Sequence, residues 1–267
     1  MWRICALRRL LVGFKREREL LSFARNWNIP TIFVFTNTQE KAGDAFVKET
    51  KGIIDEEWGF KGFVRAYVRV NSVAFSFRGL KVPVEGLEEL VDETKKCLSD
   101  AMKNHFLRVQ KVKIQERKQA MIEECKTIIH VASGAAGLIP IPFSDALAIA
   151  PIQAGMIYKM NDAFGMDLDK SVGASLVVGL LSVTAAAQVG RTLVNGFLKF
   201  IPVVGSVAGG ATAAVITEGI GFAYLKVLEK CFNDETGEVN LPDEVGMITS
   251  LFKENYLNLD TIKKLKP

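Results

Sequence analysis

The sequence contains no G-x-x-x-x-G-K-[ST] run, so no loop in it matches the pattern that cradles a triphosphate and its magnesium. Cysteine is scarce and scattered. Cys5, Cys97, Cys125 and Cys231 form neither a CxxC pair nor a compact framework, which excludes a disulfide scaffold and fits free thiols in a reducing compartment. Only His105 and His130 stand beside them, so a zinc site would have to gather ligands from distant segments, and no metal is expected. Strong charge is lacking too. A formal charge of +4, with dispersed basic residues and with Trp2, Trp27 and Trp58 apart from basic clusters, argues against nucleic acid as a partner.

The amino terminus is also defined by omissions. Met1 to Arg16 carries five basic residues and no acid, which opens a transit-peptide reading, yet it holds no serine. An uninterrupted apolar stretch followed by a small-residue cleavage site is missing as well, which counts against secretion. Trp2 to Ala6 instead reads as a core strand followed by a basic helix.

What is present is a chain of 267 residues, 49% hydrophobic, long enough for two modest domains with a sizeable core. From about residue 15 to 98 helix and strand alternate. Phe14 to Trp27 has amphipathic spacing and is ended by Asn28 and Pro30; Ile32 to Phe35 is a short apolar run suited to a strand covered on both faces. Ala42 to Trp58 predicts a helix closed by Gly59, and Phe63 to Val70 a strand closed by Asn71-Ser72. A further helix is expected to open at Pro83, with Leu87, Leu90, Val91 and Thr94 on one side. This order calls for a parallel sheet with right-handed crossovers.

On these residues the front of the chain resembles the carboxy-terminal half of a Ras-like, translation-factor-class GTPase domain. Ile29 to Asn37 sits where such domains carry the strand leading to the base-reading N/T-K-x-D signature, and Val70-Asn71-Ser72 where they carry a second base-contacting loop. The resemblance implies GTP and magnesium as ligands of the parent family. Its signature aspartate is glutamine at this site, and an amide offers one acceptor oxygen where guanine recognition uses two. Thr36, Asn37, Gln39, Asn71 and Ser72 are therefore candidate members of a degenerate base-reading site; the alternative is a polar turn that binds nothing. No catalytic residue is assigned. Asp162 to Gly165 and Asp234 to Gly237 match D-x-x-G but lie in the wrong chain order for the magnesium-proximal loop, and are expected to be turns.

Ser99 to Glu124 is a charged helix with apolar residues at three- and four-residue spacing, read as a stalk that runs on towards Ala132. Beyond it the composition turns to glycine, alanine and aliphatics. Ala146 to Tyr158, Val172 to Gly190 and Ile201 to Thr217 carry no charge, so the longer runs approach the length that crosses a bilayer. Their many small residues suit the centre of a soluble bundle equally well, and both readings stand. The passages from Ala132 to Asp145, Pro151 to Ile157 and Arg191 to Gly210 are similar to the GTPase-associated, YcjF-like domain of unknown function, covering about residues 127 to 230. That resemblance implies a domain placed behind a GTPase domain, with some members classed as membrane proteins. Among its polar groups, Asp145 is read as a helix cap and Gln153 as a bridge to a neighbouring helix. A helix through Met247, Leu251, Phe252 and Tyr256 is expected to dock on the bundle.

The expected fold class is α/β plus all-α: an incomplete Ras-like parallel sheet with flanking helices (1–98), a stalk helix (99–126), an apolar helical bundle (127–232), and a polar connection with a last helix (233–267). The expected function is a GTPase-derived, non-catalytic, membrane-associated scaffold or switch. It hydrolyses no GTP alone, needs no cofactor of its own, and is intracellular. The alternatives are the rear part of an active GTPase whose phosphate-binding half is supplied elsewhere, and a structural membrane protein, or a cytoplasmic soluble one, without nucleotide. An unpaired sheet edge would favour a homo-oligomer or a partner's strand.

Overall fold

A computed structural model describes residues 5–7, 15–39, 41–77, 79–139, 146–166, 170–186 and 208–256. They are mostly helical with a small parallel sheet, and the chain divides into two units, Met1–Phe106 and Leu107–Pro267. The basic helix after Ala6, the cap Asp145, and residues 187–207, with the end of the second charge-free run and the start of the third, lie outside the described residues.

In the first unit β1 (Cys5–Leu7), β2 (Thr31–Thr36) and β3 (Val64–Val70) pair in that order, all parallel. β2 is buried from Thr31 to Phe35, as its unbroken apolar run requires. Phe33 and Phe35 face Leu21 of α1 (Lys15–Asn26) and Val47 of α2 (Lys41–Gly52), while Ile32 and Val34 join Val68, Val70 and the inner side of α3 (Leu87–Cys97). Asn28 stops α1 by turning left-handed at φ 49°.

Two expectations fail here. Ala42 to Trp58 is not one α-helix: α2 ends at Gly52, and Ile53–Glu57 continue as a wider π turn before Gly59. Nor does the chain pass straight from Asn71-Ser72 into a helix at Pro83. A hairpin intervenes, β4 (Phe75–Phe77) against β5 (Leu80–Val82), anchored at its base by reciprocal backbone bonds between Asn71 and Glu85. α3 starts only after Gly86, at φ 73°, where a Cβ would lie 1.8 Å from the Arg69 carbonyl oxygen. Close approach and left-handed backbone together demand glycine there.

The charged helix expected from Ser99 is broken. α4 (Asp100–Val109) stops, and the buried Gln110 knits the break: its Oε1 accepts from the amides of Val112 (2.9 Å) and Lys113 (2.8 Å), and its Nε2 donates to the Lys113 carbonyl (2.8 Å). α5 (Ile114–Gly137) is not a free stalk either. Its apolar positions at three- and four-residue spacing, Met121, Cys125, Ile129, Ala132 and Ala136, all face inward and line the bundle core.

Around α5 lie α6 (Ala146–Ala163), α7 (Lys170–Ala186), α8 (Ala208–Cys231) and α9 (Val245–Tyr256). α5 and α8 run antiparallel, since Ala136 clusters with Ala213 at one end and Lys118 pairs with Asp234, just past α8, at the other. α9 docks as expected, with Phe252 and Tyr256 buried and stacked at 5.5 Å. Among the described residues no helix is long and apolar enough to cross a membrane. α8 begins at Ala208 and runs on through Glu218 and Lys226, so its charge-free part is only the front of a longer helix.

Gly86→Ala should destabilise the first unit by about 2 kcal/mol or more, because either the Arg69 carbonyl or the left-handed turn must yield. Urea unfolding of the full chain checks this; an unchanged midpoint would mean that the hairpin base is not built as described.

Candidate functional site

Parallel sheets place ligands at the carboxyl ends of their strands. In this sheet Thr36 pairs in register with Val70, so the turn after β2 and the turn after β3 emerge side by side. The structure thus brings Thr36, Asn37 and Gln39 to the same sheet end as Asn71 and Ser72. Asn37 is exposed and left-handed at φ 57°, and Thr38 is buried. From β3, Arg69 Nε donates to Thr38 Oγ1 (3.2 Å) and its Nη1 meets Asp44 Oδ1 at 2.5 Å, tying the turn to the start of α2. Gly43 lets the helix approach, since a Cβ there would stand 2.1 Å from the Thr38 oxygen.

The amides at this end are not equivalent. Asn71 is buried and donates its Nδ2 to the Pro83 carbonyl (2.5 Å), so its side chain serves the hairpin. Ser72 is exposed. Gln39 differs from both: its Oε1 and Nε2 are buried and have no hydrogen-bond partner. Sequence reading singled out Gln39 for its chemistry but missed Arg69, the side chain that holds the loop. The alternation of polar Arg65, Arg69 and buried Val64, Val68 along β3 was the available signal.

In the second unit the polar groups sit inside the helix packing. Gln153 Nε2 donates to Thr217 Oγ1 (3.2 Å), which is the inter-helix bridge expected of it. Tyr224, fully buried, donates to Asn161 Oδ1 (2.5 Å), while Asn161 Nδ2 is buried without a partner. Arg117 is also buried; its Nε and Nη1 lack hydrogen bonds, and desolvation lowers its pKa against the opposing pull of Glu238. Burial pushes the Cys125 thiol up to about 12, so it is inert as a nucleophile. Both D-x-x-G runs are turns, closing at Gly165 (φ 69°) and Gly237 (φ 71°).

One acid intrudes into the apolar part. Glu218 of α8 faces His130 of α5, with Oε1 3.3 Å from Nδ1, and desolvation raises its pKa despite the imidazole. Asn161, Tyr224 and Glu218 were missed in the sequence. Tyr224 and Glu218 are single polar residues bordering an apolar run, the signal that marked Gln153, whereas Asn161 stands among Lys159 and Asp162. Among the described residues no group of three or more His, Cys, Asp or Glu is placed to hold a metal.

The family model for a domain of unknown function, DUF697, matches residues 102–254, more than half of the chain. The chain is also similar to magnetosome membrane protein 22 of Magnetospirillum gryphiswaldense, 27% identical over 111 residues. The aligned stretch covers 42% of this chain and 57% of that relative, so the chain spans little more than half of its length. No solved structure matches the chain.

Two outcomes test the geometry. Replacing Gln39 by Leu removes two buried unpartnered atoms, so stability should hold or rise by about 1 kcal/mol; a clear loss would reveal partners for the amide. For Glu218, whose pKa lies above its ordinary 4.5, the folded chain holds the proton to higher pH than the unfolded chain. Its ionisation therefore costs stability as pH rises through that window. Glu218→Gln should be more stable than the parent at neutral pH, with the gap closing as pH falls below 4.5, measured by urea titrations along a pH series. A gap that widens on acidification would reverse the assignment.

Proposed function

Because the chain belongs to the family of the domain of unknown function DUF697, we propose that it is a membrane-associated scaffold or switch protein, non-catalytic by itself, whose front unit derives from a GTPase domain. The membrane part of this reading is carried by the likeness to a magnetosome membrane protein. It gains support from helices whose buried faces are mostly small and apolar and whose exposed positions include Val131, Leu138 and Val178. The GTPase part is supported by three parallel strands in sequential order, with the two loops in question adjacent at their carboxyl ends.

The absence of catalysis follows from chemistry. Thr36, Asn37, Gln39, Asn71 and Ser72 supply amides and hydroxyls but no carboxylate, and nothing among them would hold a phosphate chain or its magnesium. Arg69 fixes the turn through Thr38 and Asp44, so its shape is held by the protein's own side chains. A second reading, a structural membrane protein without nucleotide, is favoured by Asn71 spending its side chain on Pro83.

Calorimetry of the purified chain with GTP, GDP and ATP plus magnesium should show no binding heat. Micromolar, magnesium-dependent binding would overturn the non-catalytic reading. After cell fractionation the protein should sediment with membranes, and full recovery in the soluble fraction would reject membrane association.

A further inference from the structure

Charge in the helical unit is sorted along the helices, not around them. α5 carries no Asp, Glu, Lys or Arg from 127 to its end, α6 none from 146 to 158, α7 none from 171 to 186, and α8 none from 208 to 217. The packing puts those of α5, α6 and α8 at one end. Ala136, Ile149 and Ala213 share a cluster, and Gln153 meets Thr217. A soluble bundle keeps charges on its wet face at every height. This end instead exposes Val131 (66%), Leu138 (85%), Gly134, Ala135 and Pro151.

Where charge resumes, it resumes as lysine. Cys125 Sγ lies 3.8 Å from the Met160 carbonyl, and Asn161 bonds Tyr224, so positions 126, 159 and 226 stand at a common level. All three are lysines. The acids that pair with two of them, Glu123 with Lys126 and Glu229 with Lys226, lie on the far side from the apolar end. Glu218, the one acid of α5, α6 and α8 beyond this level, has the raised pKa that a poorly solvated carboxyl shows.

We infer that the charge-free end of the bundle inserts into one leaflet of an anionic bilayer, with Lys126, Lys159 and Lys226 as a collar at the headgroups. From Lys126 to Leu138 α5 rises about 18 Å, close to the depth of a single leaflet, half of a hydrocarbon core of about 30 Å. Insertion by one end needs no helix long enough to cross. The lysine collar distinguishes lipid from a second copy of the chain, because two such collars would face each other with like charge, whereas anionic headgroups complement it. This inference rests on the membrane-associated reading above and adds which surface inserts and which lipids it meets.

Flotation of the full chain with vesicles tests it. The parent should float with phosphatidylcholine vesicles doped with phosphatidylglycerol and less with phosphatidylcholine alone. Placing Val131→Glu and Leu138→Glu together on the exposed end should cut the bound fraction about tenfold or more, while Thr236→Glu, in the exposed turn at the opposite end, should leave it unchanged. Lys126→Gln with Lys159→Gln should abolish the preference for phosphatidylglycerol and keep the weaker binding. Undiminished flotation of the Val131/Leu138 variant would overturn the inference and leave membrane association standing. A parent that floats with neither vesicle would sink both, and a dimer in vesicle-free buffer that those two glutamates dissociate, without flotation, would give the surface to a second copy.

Discussion

The helical unit depends on how closely α5, α6 and α8 can meet at Gly221. A Cβ at that position would stand 2.6 Å from Ile129 Cγ1 on α5 and 3.1 Å from Met156 Sδ on α6, so the missing side chain is what lets three helices converge. Close approach gives many weak dispersion contacts and costs little side-chain entropy, since Gly and Ala have none to lose. It also gives each helix little apolar area to bury. Bulk must come from a few large residues, and Met156, Met160, Phe164, Tyr224 and Phe252 supply it, each fully or nearly fully buried.

Such tight packing leaves no room for loosely placed polar groups. Gln153 with Thr217 and Asn161 with Tyr224 join α6 to α8 at two heights, and both pairs fix the register of helices whose smooth surfaces would otherwise slide. Charges meet the same constraint more severely, because a desolvated ion needs a partner. They are gathered where the loops are: Lys118 and Gln115 hold Asp234, and Lys111 holds Glu238, pinning the 232–240 turn onto α5 and the break before it. Glu218 shows the cost of straying, with its carboxyl held towards the neutral form.

The legible part of the sequence was that governed by local rules. The unbroken run Thr31 to Phe35 read correctly as a strand covered on both faces, Asn28 ended its helix, and Phe252 with Tyr256 marked a docking helix, because periodicity and punctuation act within a few residues. The hairpin was overlooked although Phe75, Phe77, Leu80 and Val82 alternate around Arg78-Gly79; strands of three residues fall below the length at which alternation stands out. The break at Gln110 had no turn signature at all. A glutamine side chain replaces the missing backbone bonds, and only the packed structure reveals that. The stalk was misjudged for a related reason: a charged outer face says nothing of how deeply the opposite stripe is buried.

The sheet end presents the opposite case: the sequence singles out Gln39 for its chemistry and does not show what supports the turn. Glutamine in place of aspartate trades two equivalent acceptors for one acceptor and one donor, so a base edge that bonds a carboxylate meets a mismatched group. Loops shaped by a ligand need that ligand to stay ordered. This loop has Arg69 reaching Thr38 and Asp44, and Gly43 admitting α2 against the Thr38 carbonyl. A turn held from within keeps its form without a bound partner, so the shape of this loop rests on Arg69, Asp44 and Gly43.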